Sequence, residues 1–376
     1  MRIRGRSSFM LSFSLLFLLS ALVLAACGGS TSNNAATSKG CQTPASASIG
    51  LHQAPTVQIA SFSEGEYRYH KTAGTVPTLQ NVSIGLGYIP DIQFAPFYVA
   101  QSKGYYTAAG LNVTFHHGIV PDLFGSMVLG QNTFVFAGGD EELVARSKNL
   151  QAVDVATIFQ RYPVSLIVPA SSSICKLADI KGHTIGVPGK FGSTYTGLLA
   201  LLSAAHLSES DVHVQSIGFT QVAALVGHKV DAVMGYSNNE PLQLHRQGFA
   251  VRTFDVSDYQ PLVSNGIITT QDTLQKQPQM VRNFVQATLK GLRDVIANPS
   301  EAVQLSKSYI PTLTGKDKED QALAVLQATI PIWKGNGQLG YNDSATWQAM
   351  TQFLVAQKII PPVQDVSQAY TNQSLT

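Results

Sequence analysis

A strand, a short loop and an aromatic helix succeed one another over residues 84–110, IGLGYIPDIQFAPFYVAQSKGYYTAAG, and that order constrains the fold more than any other stretch. Val82, Ile84 and Leu86 alternate with Ser83 and Gly85, as in a strand ending near Gly87. A loop over 88–93 follows. Phe94, Phe97, Tyr98 and Tyr105 then fall close to one face of a 3.6-residue helix, with Pro96 in a first turn whose N–H groups lack intrahelical acceptors anyway. A strand running directly into a helix is the unit of open α/β sheets, where ligands bind beyond the carboxyl ends of strands, against helix N-termini. Tyr88, Asp91, Gln93 and Phe94 therefore stand where a small molecule can sit, while Phe97 and Tyr98 read as core.

The unit recurs. Leu111, Val113 and Phe115 alternate as a second strand, and Pro121-Asp122 opens a helix to Gly130 with Asp122 as its cap. Residues 133–137 form a buried strand that runs into Gly138-Gly139-Asp140-Glu141-Glu142 and a helix through Lys148. Acids in a first turn suit the helix dipole, so Asp140 is either a cap or a carboxylate offered to a ligand. Strands follow at 153–159 and 164–168, with Gln160, Arg161 and Tyr162 between them.

A second set begins after Pro169. Residues 177–182 lead into a strand at 183–187, the loop PGKFGS and a helix at 194–205. Gly186, Gly189 and Lys190 invite a phosphate-binding P-loop reading, but the glycine spacing fails and Phe191 stands where Ser or Thr is required. Gly192, Ser193, Thr194 and Tyr195 still bring N–H groups and hydroxyls to a helix start, which suits a polar group or an ordinary cap. After a strand at 212–216 and a helix at 221–227, the strand 231–234 opens into Gly235-Tyr236-Ser237-Asn238-Asn239-Glu240-Pro241. A ring, a hydroxyl, two amides and a carboxylate at one strand end exceed what a turn needs, and amides match the mixed edge of a heterocycle.

Strands at 249–254 and 267–270 flank Leu262 to Gly266, and long helices then run over 278–298 and near 299–309, 317–330 and 343–358. The polar tail beyond Pro361-Pro362 is expected to be loose. Two short strand-like runs within 55–72 suggest a hairpin.

With 376 residues, 44% hydrophobic and 13% charged, the chain can build two domain-sized units. Its formal charge of +2 includes Arg2, Arg4 and Arg6; from Cys27 onward 22 basic residues face 23 acidic ones. No basic stripe exists to neutralise phosphates, which argues against nucleic acid as a partner. The three arginines precede an apolar run, 9–26, too short for an ordinary membrane span, with the anatomy of a secretory signal peptide over 1–26. That run ends in LAAC, which resembles a bacterial lipobox; an acylated Cys27 would hold the protein on the outer face of the cytoplasmic membrane by a lipidated tether and N-terminal extension over 27–80, of which 28–50 is a flexible stretch rich in Ser, Ala, Asn, Gly and Thr. Cys41 and Cys175 could pair in an oxidising compartment. No G-x-S-x-G elbow, H-E-x-x-H helix or carboxylate pair demands catalysis, and the adjacent His116 and His117 point to opposite faces of a strand. No metal site or cofactor is expected.

The segments PDIQFAPFYVAQSKGYYTAAGLNVTF, LADIKGHTIGV, GYSNNEP and VSNGIITT resemble the substrate-binding proteins of ABC importers in the nitrate, sulfonate and thiamine-pyrimidine superfamily, most closely its thiamine-pyrimidine precursor and riboflavin branch. The resemblance covers about 81–310 and implies a two-lobed α/β fold of the periplasmic binding protein type II kind. Lobe one would comprise 81–168 and 265–376, and lobe two 169–264. It further implies a monomer that binds a planar heterocycle, riboflavin or a thiamine pyrimidine, and delivers it to a membrane permease with a cytoplasmic ATPase, without enzymatic activity. Carried over by position, lobe-one contacts come from Tyr88, Asp91, Phe94 and Asp140, and lobe-two contacts from Phe191, Ser193, Tyr195, Tyr236, Asn238, Asn239 and Glu240, with Asn265 near the hinge. The alternatives are a sulfonate or nitrate binder, or an extracytoplasmic pyrimidine-processing enzyme on the same fold.

Overall fold

The computed structural model describes residues 78–376, Asn336 excepted. The signal peptide, Cys27, Cys41, the tether and the hairpin expected within 55–72 lie outside the described residues. Cys175 is disulfide-bonded.

Alternating apolar residues and helix signals produce ten strands in two sheets. The first sheet holds β1 (Gln80–Leu86), β2 (Leu111–His117), β3 (Phe134–Gly138) and β4 (Ala152–Thr157). The second holds β5 (Val164–Pro169), β6 (Thr184–Val187), β7 (His213–Ser216), β8 (Ala232–Tyr236) and β9 (Val251–Asp255), and β10 (Asn265–Thr270) returns to the first. The strand orders are β2-β1-β3-β10-β4 and β7-β6-β8-β5-β9. In each sheet four strands run parallel, and the fifth, β10 or β5, lies antiparallel between two of the others. Both sheets are thus the same arrangement built twice.

The chain passes between sheets twice, over 158–163 and 256–264, and both passages lie at the ends of strands that face the cleft described below. β5, assigned to the first lobe from sequence, hydrogen-bonds instead with β8 and β9 in the second sheet. An apolar run such as VSLIV announces a buried strand without announcing its partners.

The first lobe is closed by helices. Helix Pro278–Ala297 buries one face, including Phe284, Val285, Leu289 and Leu292, against β-sheet and helix Ala95–Ser102. Gly291 permits this approach, since a Cβ there would collide with the Pro96 carbonyl oxygen. Phe284 stacks on Phe134 at 4.2 Å and on Tyr106 at 5.2 Å. The aromatic helix expected from Phe94 onward is broken into the 3₁₀ turn Ile92–Phe94, helix Ala95–Ser102 and helix Tyr105–Ala108, with Gly104 at φ 70° between the latter two. Helix Val120–Val128 starts one residue before Pro121, so Asp122 sits in its first turn rather than capping it.

The tail is not loose. Tyr370 stacks on the fully buried Trp347 at 5.2 Å, Thr371 N–H donates to the Asp154 carbonyl at 2.9 Å, and Leu375 enters the first core. Anchors as sparse as Tyr370 and Leu375, set among polar residues, leave no periodic signature, so composition alone reads as solvated.

Candidate functional site

The loops following β1, β3, β4, β6, β7 and β8, and the start of β10, converge on one cleft between the sheets. This is the ligand position of open α/β folds, reached here from both sides. Lobe one contributes the rings of Tyr88, Phe94, Phe136 and Phe159, and lobe two those of Phe191, Phe219 and Tyr236. Tyr88 meets Phe219 edge to face across the cleft, centroids 4.8 Å apart. The enclosed free volume is about 80 Å³.

Polar groups stand among the rings. Gln93, Gln221, Asn239 and Asn265 supply amides, Ser193 and Thr194 hydroxyls, and Glu141 and Glu240 the two carboxyls; no Lys, Arg or His lines the cavity among the described residues. Glu240 is 4% exposed, and burial pushes its carboxyl up to about 7 even though it accepts Tyr236 N–H at 2.7 Å. Tyr236 donates its hydroxyl to Asn265 Oδ1 at 3.2 Å; burial first, then the nearby Glu141 and Asp140, keep the phenol protonated.

The lobes also meet through acids. Ser193, in the first turn of helix Gly192–Ala204, donates its hydroxyl to Asp140 Oδ1 at 2.9 Å and lies 3.4 Å from Glu141 Oε2. Glu141 Oε2 also accepts Gly138 N–H at 3.0 Å, closing the first turn of helix Gly139–Ser147. Burial raises both carboxyls, and Asp140 raises Glu141 further. Gly192, at φ 74°, has Glu141 Oε1 only 2.9 Å from where a Cβ would be, so a side chain there would meet both backbone strain and the Glu141 carboxyl.

Of the residues singled out from sequence, Tyr88, Gln93, Phe94, Phe191, Gly192, Ser193, Thr194, Tyr236, Asn239, Glu240 and Asn265 line this one cavity. Four do not. Asp91 caps the 3₁₀ turn Ile92–Phe94, its carboxylate accepting Gln93 N–H at 3.4 Å, and burial raises it to about 6. Asp140 is fully buried behind Ser193, and its neighbour Glu141 borders the cavity instead. Tyr195 turns outward and donates to Glu209 at 2.5 Å, and Asn238 donates to the buried Thr329 hydroxyl at 2.7 Å.

Sequence reasoning passed over Phe136, Phe219 and Gln221 as site residues. Phe219 sits beyond the end of β7, so the strand-end rule applied to Tyr88 would also have selected it.

The two-lobed arrangement is the periplasmic binding protein type II fold. The aliphatic sulphonate binding protein SsuA of Escherichia coli superposes on 79% of this chain and 99% of its own, with a TM-score of 0.63 at 15% identity. The chain belongs to the NMT1/THI5 like family, whose model matches residues 91–302. It is similar to the riboflavin-binding protein RibY of Chloroflexus aurantiacus, 39% identical over 79% of this chain and 86% of the relative. It is also similar to the 4-amino-5-hydroxymethyl-2-methylpyrimidine phosphate synthase of Legionella pneumophila, 25% identical over 74% of this chain and 87% of the relative.

Proposed function

We propose that this chain is a solute-binding protein that clamps an uncharged planar heterocycle, riboflavin or a thiamine pyrimidine precursor, between its lobes and passes it unchanged to an ABC permease and its ATPase. In this reading Cys27 carries the lipid that holds the protein at the outer face of the membrane. The observation that carries the reading is the lining itself: seven rings with amides and two acids, and no cation among the described residues. Rings stack on a flat guest, amides pair with its edge, and the absence of a basic group disfavours a sulfonate or nitrate. Among the described residues no helix is long and apolar enough to cross a membrane. The names of the riboflavin-binding and pyrimidine-synthesising relatives support the same guest chemistry.

A free volume of about 80 Å³ is well below the roughly 300 Å³ and more of ordinary ligand pockets. A guest therefore enters with the lobes parted and the Tyr88–Phe219 contact opened, and it favours closure only as far as it binds the closed state more tightly. The test is mass spectrometry of small molecules released from purified protein, backed by a thermal-shift panel of riboflavin, hydroxymethylpyrimidine, taurine and nitrate. A flavin or pyrimidine released intact, with matching stabilisation, supports the reading. Stabilisation by taurine or nitrate alone, or conversion of the heterocycle on incubation, sinks it.

A further inference from the structure

Gln93 lies in the 3₁₀ turn Ile92–Phe94, whose backbone is pinned by Asp91. Its N–H donates to the Asp91 carboxylate, Phe94 N–H donates to the Asp91 carbonyl at 3.2 Å, and the Phe94 ring packs edge-on against Phe136 and His117. The residue is 9% exposed, and it borders the cavity beside Tyr88 and Phe94. Its amide oxygen is shut away from solvent and has no hydrogen-bond partner among the described residues. An acceptor buried without a donor is costly, and native structures keep few of them. Two other lining amides differ: Asn265 Oδ1 already accepts from Tyr236, and Asn239 Oδ1 accepts from Gln243 at 2.8 Å. Of the lining amides among the described residues, Gln93 is the one whose side-chain oxygen is both shut away from solvent and without a donor.

We infer that Gln93 is the specificity-determining residue of lobe one, its side-chain oxygen accepting a hydrogen bond from an unsubstituted ring N–H or exocyclic amine of the guest. This rests on the heterocycle reading above and narrows it: the guest must turn a nitrogen donor toward Gln93, and a nitrogen carrying a methyl group is disfavoured because it has no hydrogen to give the amide oxygen.

The experiment is isothermal titration of wild type, Gln93→Ala and the near-isosteric Gln93→Met with riboflavin and with 3-methylriboflavin, alongside apo melting curves. If hydroxymethylpyrimidine is the guest, its 4-amino and 4-dimethylamino forms replace the flavin pair. Wild type is expected to prefer the N–H compound by about tenfold or more. Both variants should bring that ratio close to one while the apo melting temperature holds. Gln93→Met keeps the bulk of the side chain, so it decides the matter even where Gln93→Ala fails to fold. Variants that retain the wild-type preference, or a wild type with none, overturn the assignment to Gln93 and leave the heterocycle reading standing. A wild type that binds neither flavin nor pyrimidine overturns both.

Discussion

At the scale of single residues, the cleft separates side chains held by the protein from side chains held out to a guest. Phe191 belongs to the second kind: it is 39% exposed, and its ring lies against Gly189, where a Cβ would collide with it. Phe191→Ala should therefore weaken heterocycle binding by about tenfold, the value of one stacked aromatic contact, while apo stability changes by no more than about 0.5 kcal/mol. Titration calorimetry beside a denaturant melt checks it, and a large apo loss would reassign Phe191 to the core. The one-residue ambiguity between Asp140 and Glu141 shows what sequence leaves open here. Both acids occupy the first turn of helix Gly139–Ser147, and only packing decides which faces the cavity and which goes behind Ser193.

Whole elements were the more legible scale. Strands and helices after residue 80 fall close to where alternation and caps put them, because each βα unit repeats the same periodic switch. Partnership was not legible: β5 is apolar except for Ser165, and the tail docks through a few isolated anchors. The tail's role can be measured. Removing residues 363–376 exposes Trp347 to the loss of its Tyr370 stack, empties the Leu375 position and frees Asp154 from its Thr371 contact. Loss of those contacts should cost on the order of 2–4 kcal/mol and lower the melting temperature by several degrees. An unchanged melt after truncation would show that the docking is energetically idle.

Across the whole molecule, buried acids set the response to pH. Glu240 and Asp154 are raised to about 7 and Asp91 to about 6, each chiefly by burial. Each holds its proton more tightly folded than unfolded, so its contribution is complete below the ordinary carboxyl value and is lost as pH rises through the folded value. Stability should therefore fall as pH climbs from about 4.5 to about 7. Asp211, partly exposed and lowered to about 2 by the Ser208 N–H and Lys181, acts in the opposite sense, below its ordinary 3.8. Melting temperatures across that range test the sign; a flat or rising profile would mean these carboxyls sit in water when folded.

The doubled sheet has a last consequence, for synthesis. Every strand of the second sheet lies in one uninterrupted span, 164–255, whereas the first sheet stays a strand short until β10 emerges. A growing chain can therefore finish its inner half while the outer half still waits for the strand that joins β3 to β4. The later half is then completed around a neighbour that has already taken shape.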